Sequence, residues 1–232
     1  MIDEAIETIV DGVKSKIRAR WDILGSVDGI NGSFSTGHTP KKAPLAYVAR
    51  SYAQVVEQDI LNFEAYSNVY CSDIYRRFLK RCNGMRVNNL SLNGVVETLQ
   101  RDHTDSIGQP ISLTYDNGRL KPLHVPHGHF AIGSINGKWH SQGIIFLTST
   151  GEVELYNSYE NLVGARWPSF VAFLTEEVDR QMSLCNDDGS LREDVEFLPQ
   201  DTQSWEAIGK VHSDERKRAA SLKGRVKRFF KK

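Results

Sequence analysis

The chain has 232 residues, enough for one large domain or a domain with appendages, and its 25% charged and 40% hydrophobic residues are ordinary for a globular protein. No apolar run approaches the ~18 residues of a membrane-spanning helix, and no short apolar stretch follows a basic N-terminus, so neither a span nor a secretory leader is indicated. The formal charge is zero, yet residues 213–232 hold nine Lys/Arg against two Asp/Glu, which leaves 20 Lys/Arg and 27 Asp/Glu elsewhere: an acidic body with a basic tail.

In chain order, Ile2, Ile6, Ile9, Val13 and Ile17 keep one face apolar and predict an amphipathic helix within residues 1–24, with acids early and bases late. Residues 25–44 carry four glycines and two prolines and read as a linker or long loop. A domain spanning 45–182 opens with a helix from about Tyr52 to Tyr66, with Val56, Ile60 and Phe63 inward. The next helix has both ends written into it. Ser72 caps it, Asp73 sits at the positive end of its dipole, and Asn83-Gly84 supplies a left-handed stop. Its buried face is Ile74, Tyr75, Phe78, Leu79 and Cys82, and a strand with Val87, Leu90 and Leu92 follows at once.

From Leu90 to Tyr156 the pattern is one of strands and tight turns. Residues 111–115 and 119–123 flank Asp116-Asn117-Gly118, and residues 130–135 and 138–147 flank Asn136-Gly137, a strong hairpin signal because both central positions need positive φ. After a turn at Gly151, Val153 and Leu155 face in while Glu152 and Glu154 face out. A helix from Ser169 to about Met182 buries Phe170, Phe173, Leu174 and Val178. The expected fold is α+β: a mainly antiparallel sheet of five to six strands, with helices on one face, an N-terminal helix and a basic C-terminal tail. Residues 183–232 form a polar, irregular segment and that tail, which reads as a solvated end, an amphipathic helix for anionic lipid, or a nucleic-acid contact.

The helix–Asn-Gly–strand corner resembles the SUKH superfamily, which holds the Smi/Knr-type cell-wall regulators and many bacterial immunity proteins. The pattern is carried by Tyr75, Phe78, Leu79, Asn83 and Gly84. A second landmark is similar to the family's ending: Ile132-Gly133, then Gly151 with Val153, then Ser169-Phe170 with Phe173-Leu174. The resemblance covers roughly residues 50–182. It implies a cytoplasmic, non-enzymatic protein-binding module without a cofactor, most of all an immunity protein that neutralises a cognate toxin domain such as a nuclease. The alternative within the family is a regulatory scaffold of the cell-wall-signalling kind.

The residues themselves offer no catalytic constellation. Cys71, Cys82 and Cys185 are an odd number without metal-ligand spacing and suit free thiols in a reducing compartment. His124, His127 and His129 could serve a metal-dependent hydrolase, but no matching Cys or Glu motif accompanies them, and Pro126 and Gly128 suggest a turn. No metal site is therefore expected. His103, between Asp102 and Asp105, reads as part of a solvated loop. For partner binding, outward Glu152 and Glu154 with Asp102, Asp105 and Asp116 on turns would give the open side of the sheet a negative field. Trp139 is either an interface anchor or a core residue of its strand.

Overall fold

The structure, a computed structural model, describes residues 2–99, 105, 107–119, 125–137, 142–157 and 163–199, with positions 205, 207, 210, 211, 214, 215, 217 and 218. Within it a sheet of nine strands runs as an uninterrupted antiparallel meander, each strand pairing with its neighbours in sequence. The strands are β1 (Ser26–Asp28), β2 (Phe34–His38), β3 (Tyr47–Ser51), β4 (Met85–Val87), β5 (Leu90–Leu92), β6 (Phe130–Asn136), β7 (Gln142–Leu147), β8 (Val153–Asn157) and β9 (Val163–Trp167). The helices that accompany them include α1 (Ile2–Trp21), α2 (Glu57–Ser67), α3 (Asp73–Arg81) and α4 (Phe170–Ser183), and the described positions between 205 and 218 are helical too. Among the described residues no helix is long and apolar enough to cross a membrane.

The α+β class and the antiparallel sheet are as expected, but the sheet is larger than five to six strands. Residues 25–44, expected as a linker, supply β1 and β2, and residues 45–51 supply β3. These strands are short and carry Gly37 at φ +73°, so their apolar alternation is too brief to register as a strand. The helix expected from Tyr52 begins only at Glu57. Residues 111–115 and 119–123 were expected as a hairpin. Instead Ser112 makes one isolated bridge with Gly94, and Tyr115–Arg119 forms a single wide helical turn.

The core lies between the helices and one face of the sheet. From α1 it takes Ile6, Val10, Val13, Ile17 and Trp21, and from the sheet Met85, Val87, Leu90, Leu92, Ile135, Ile145 and Leu155. The buried stripe of α1 is thus 6-10-13-17-21, one register over from the predicted one at Ile9, which is only partly buried. Trp205, in the segment read as polar and irregular, is also in this core. A smaller cluster of Val125, Ala131, Ile144, Phe146 and Tyr156 sits on the opposite face of β6–β8.

The corner after α3 is the joint of the molecule. Ser72 Oγ accepts from Tyr75 N at 3.3 Å, and Tyr75, Phe78 and Leu79 are fully buried. The helix ends in extended backbone at Cys82, and within the expected Asn83-Gly84 stop it is Gly84, at φ +93°, that makes the turn. Asn83 does something else. Its side-chain amide donates to Val95 O at 2.9 Å and its oxygen accepts from Val95 N at 2.8 Å, standing in for a strand where β5 has ended. The Tyr75 hydroxyl lies 2.6 Å from Asn93 O and 3.0 Å from Ile132 O, and burial holds it firmly protonated, so it bridges α3 to β5 and β6.

The second landmark is a bulge. The β6–β7 register shifts between Ala131 and Gly133, so Ile132 and Gly133 together oppose Ile145. The extra residue keeps Ile132 and Ile135 on the helix side, where both are buried. A Cβ at Gly133 would stand 2.1 Å from Ser91 O, so only glycine lets β5 and β6 meet there. Gly151, at φ +89°, turns the chain between β7 and β8, with Val153 buried just beyond it. At the last landmark Ser169 Oγ caps α4 by accepting from Ala172 N at 3.1 Å, and Phe170, Phe173 and Leu174 are buried.

Candidate functional site

Antiparallel pairing decides what the face turned away from the helices presents. Ser35, Arg50, Arg86, Ser91 and Ser134 lie directly opposite one another across β2 to β6. Their neighbours on the strands, such as Ala49, Val87, Leu90 and Ile135, point to the helices, so this row faces away from them. Two adjoining hollows flank Arg86. One, of about 330 Å3, is lined by Tyr52, Ser91, Gln109, Ile111 and Asn136; the other, of about 200 Å3, by Lys42, Leu45, Tyr47 and Arg50. They meet at Arg86, Asn88 and Asn89, and a third of about 170 Å3 continues past Tyr52 and Gln109 towards Ile30 and Asp105. Together they form a shallow groove across the sheet.

The walls of the groove are fixed from behind. Asn88, at φ 50°, and Asn89 make the β4–β5 turn. Asn88 Nδ2 donates to Gln181 O at 2.6 Å and Asn89 N to Gln181 Oε1 at 3.2 Å, which ties the hairpin tip to the end of α4. Gln181 is itself held by the buried carboxylate of Glu177, which also pairs with Arg180 at 2.6 Å. Arg50 donates to Leu45 O at 3.0 Å and to Ile107 O at 3.5 Å, and its guanidinium stands 5.9 Å from the Tyr47 ring centroid. Burial raises the Tyr52 phenol, partly offset by Arg50 and Arg86. The groove is therefore a rigid floor carrying cations, phenols and amides. Leu45 at 76% and Ile111 at 46% exposure are apolar side chains on its rim.

The acidic residues expected to form one negative face are not brought together. Asp116 is not on an exposed turn: it is 1% exposed and accepts from Asn93 Nδ2 at 2.8 Å, and burial pushes its carboxyl up to about 6. Glu154 faces away from the helices as expected but is enclosed. His129 Nε2 and the Tyr156 hydroxyl contact Glu154 Oε2 at 3.1 and 2.9 Å, and Arg166 Nε contacts Oε1 at 2.9 Å. Burial raises the Glu154 carboxyl, and the three partners outweigh it and hold it below the ordinary range. The same burial and the neighbouring carboxylate push Tyr156 up to about 12. Glu152 is exposed on the β7–β8 turn, and Asp105 is half-buried at the far end of the groove, where it accepts from Ile107 N. Asp102, Trp139, His103 and His124 lie outside the described residues.

The groups that suggested chemistry are engaged elsewhere. His127 is exposed, His129 belongs to the Glu154 network, and among the described residues no three His, Cys, Asp or Glu side chains are placed to hold a metal. Cys71, Cys82 and Cys185 are buried free thiols, and burial pushes the Cys71 thiol up to about 12. Neither Arg50 nor Arg86 was singled out from sequence. Each is a polar member of a short alternating strand, Tyr47–Ser51 or Met85–Val87, but only the pairing of those strands brings the two together. No family model, no curated protein and no solved structure matches this chain.

Proposed function

We propose that this chain is a cytoplasmic protein-binding module rather than an enzyme, and that it acts as an immunity protein, neutralising a cognate toxin domain by direct contact. The observation that carries the reading is the groove beside β3 to β5, on the face turned away from the helices. It is rimmed by Leu45 and Ile111 and floored by Tyr47, Tyr52, Arg50 and Arg86. Tyr and Arg are the residue types that dominate binding energy at interfaces, and a floor tied to Gln181 loses little freedom when a partner docks. The SUKH-like landmarks supply the immunity reading. Each has a structural duty here: Tyr75 bridges three elements, Asn83 and Gly84 make the corner, and Gly133 permits the β5–β6 contact.

The test is to co-express the chain with each protein encoded by the flanking genes. Relief of growth arrest caused by one of them, together with a 1:1 complex of Kd about 10 nM or tighter, supports the reading. A stable complex without any toxicity to relieve would favour the regulatory-scaffold alternative. No complex with either neighbour, and stoichiometric zinc or iron that survives dialysis and is lost on His127→Ala, would contradict it in favour of a metal-dependent hydrolase.

A further inference from the structure

Arg50 and Arg86 are directly opposite each other on β3 and β4, an arrangement that sets like charges against one another across a sheet. Elsewhere the body meets its arginines with acids: Arg76 pairs with Glu57 and Glu64, Arg81 with Asp11, Arg180 with Glu177. Here it does not. Among the described residues, the Arg50 side chain donates only to backbone carbonyls, and the exposed Arg86 side chain makes no hydrogen bond or ion pair. Lys42 lines the hollow that Arg50 and Arg86 share, and no carboxylate is among the described residues that line either of the two hollows flanking Arg86. In a chain with 29 Asp/Glu, the nearest acids along the groove, Asp59 and Asp105, line only the third hollow, past Tyr52 and Gln109.

We infer that the groove takes a carboxylate-bearing, extended segment of the partner protein, with its acidic side chains on Arg86 and Arg50 and its apolar ones against Leu45 and Ile111. This deepens, and rests on, the protein-binding reading above. Charge complementarity selects the acid: a guanidinium fork binds a carboxylate through two parallel hydrogen bonds, and a pair of forks satisfies alternate residues on one side of an extended chain. Shape selects a polypeptide over a small anion. The two open hollows that meet at Arg86, with exposed apolar residues on the rim, suit a strand lying across the sheet better than a ligand that must be enclosed on most sides.

The test uses the full chain and a defined probe, the blocked hexapeptide Glu-Leu-Glu-Tyr-Glu-Leu, followed through the side-chain Nε–H resonances of the arginines. Its counterpart with Gln for every Glu and inorganic phosphate are the controls. Saturable shifts at Arg86 and Arg50 with a Kd of about 1 mM or tighter, weakened at least tenfold in Arg86→Gln and reduced by salt, are expected. Equal shifts with the Gln peptide, shifts produced equally well by phosphate, or no shift in the wild-type chain would each overturn the inference. None of these bears on whether a flanking-gene protein binds, so failure of the acidic-segment proposal and failure of the binding-module reading are distinguishable.

Discussion

Asp116 gives a stability prediction whose sign can be worked from the structure. The side chain is 1% exposed, Asn93 Nδ2 donates to one of its oxygens, and the other oxygen, like Asn93 Oδ1, has no hydrogen-bond partner among the described residues. Burial raises its pKa from 3.8 to about 6 despite the Asn93 bond. The folded state thus holds this proton more tightly than the unfolded chain does. Stability from this group is fully present below pH ~4 and is lost as pH rises through ~6. A shift of about two units corresponds to about 3 kcal/mol at pH 7, with roughly half of it already lost at pH 5. Asp116→Asn removes the titration. It also supplies an N–H donor beside Asn93 Oδ1, which no donor among the described residues reaches. Urea unfolding followed by tryptophan fluorescence from pH 3 to pH 7 measures the comparison. The variant should gain on the wild type by about 3 kcal/mol between those limits, most of it between pH 4 and pH 6.5. Using the difference cancels carboxylates such as Glu154 and Glu57, whose lowered pKa values give the opposite slope in both proteins. A difference that does not change with pH would show that Asp116 is paired and ionised in the folded protein, and the reasoning would fail.

The corner and the bulge yield further expectations. Phe78→Ala should cost about 3–5 kcal/mol in chemical denaturation, because Phe78 is fully buried with ring centroids 5.1 Å from Tyr75 and 5.5 Å from Phe170; a near-neutral result would place the core elsewhere. Tyr75→Phe should cost about 1–3 kcal/mol by taking a donor from two buried carbonyls while leaving the ring in place. Gly133→Ala should cost about 3 kcal/mol or more, since its Cβ meets a backbone carbonyl that can yield only by separating β5 from β6. Unfolding curves indistinguishable from wild type for either of the last two would remove the strand-spanning role given to that landmark.

The parts of the fold that were legible in the sequence are those in which one short stretch carries its own instructions. α3 has its cap, its apolar spacing and its glycine turn within residues 72–84, and β8 alternates cleanly from Val153 to Leu155. β9 escaped notice because its register against β8 slips near Leu155 and Tyr156, which spoils the alternation over five residues. β1 to β3 escaped because they are short, Gly37 interrupts β2, and buried Ser35, Thr36 and Ser51 look like loop residues. The site was harder still. Asp116 and Glu154 read as solvent-facing acids, and only tertiary contacts with Asn93, His129 and Arg166 show otherwise. Arg50 and Arg86 are 36 positions apart, with α2 and α3 between them, and their meeting depends on a strand register that no local pattern encodes.

If the groove beside Arg50 and Arg86 is the binding surface, hydroxyl-radical footprinting of the complex with the flanking-gene protein will show it. Leu45, Tyr47, Tyr52 and Ile111 line the groove, whereas exposed Ile23, Tyr66 and Tyr70 lie outside it and serve as internal controls. Oxidation of the first group should fall at least several-fold in the complex while the second is unchanged. Protection of Tyr66 and Tyr70, with the groove residues oxidised as in the free chain, would contradict it.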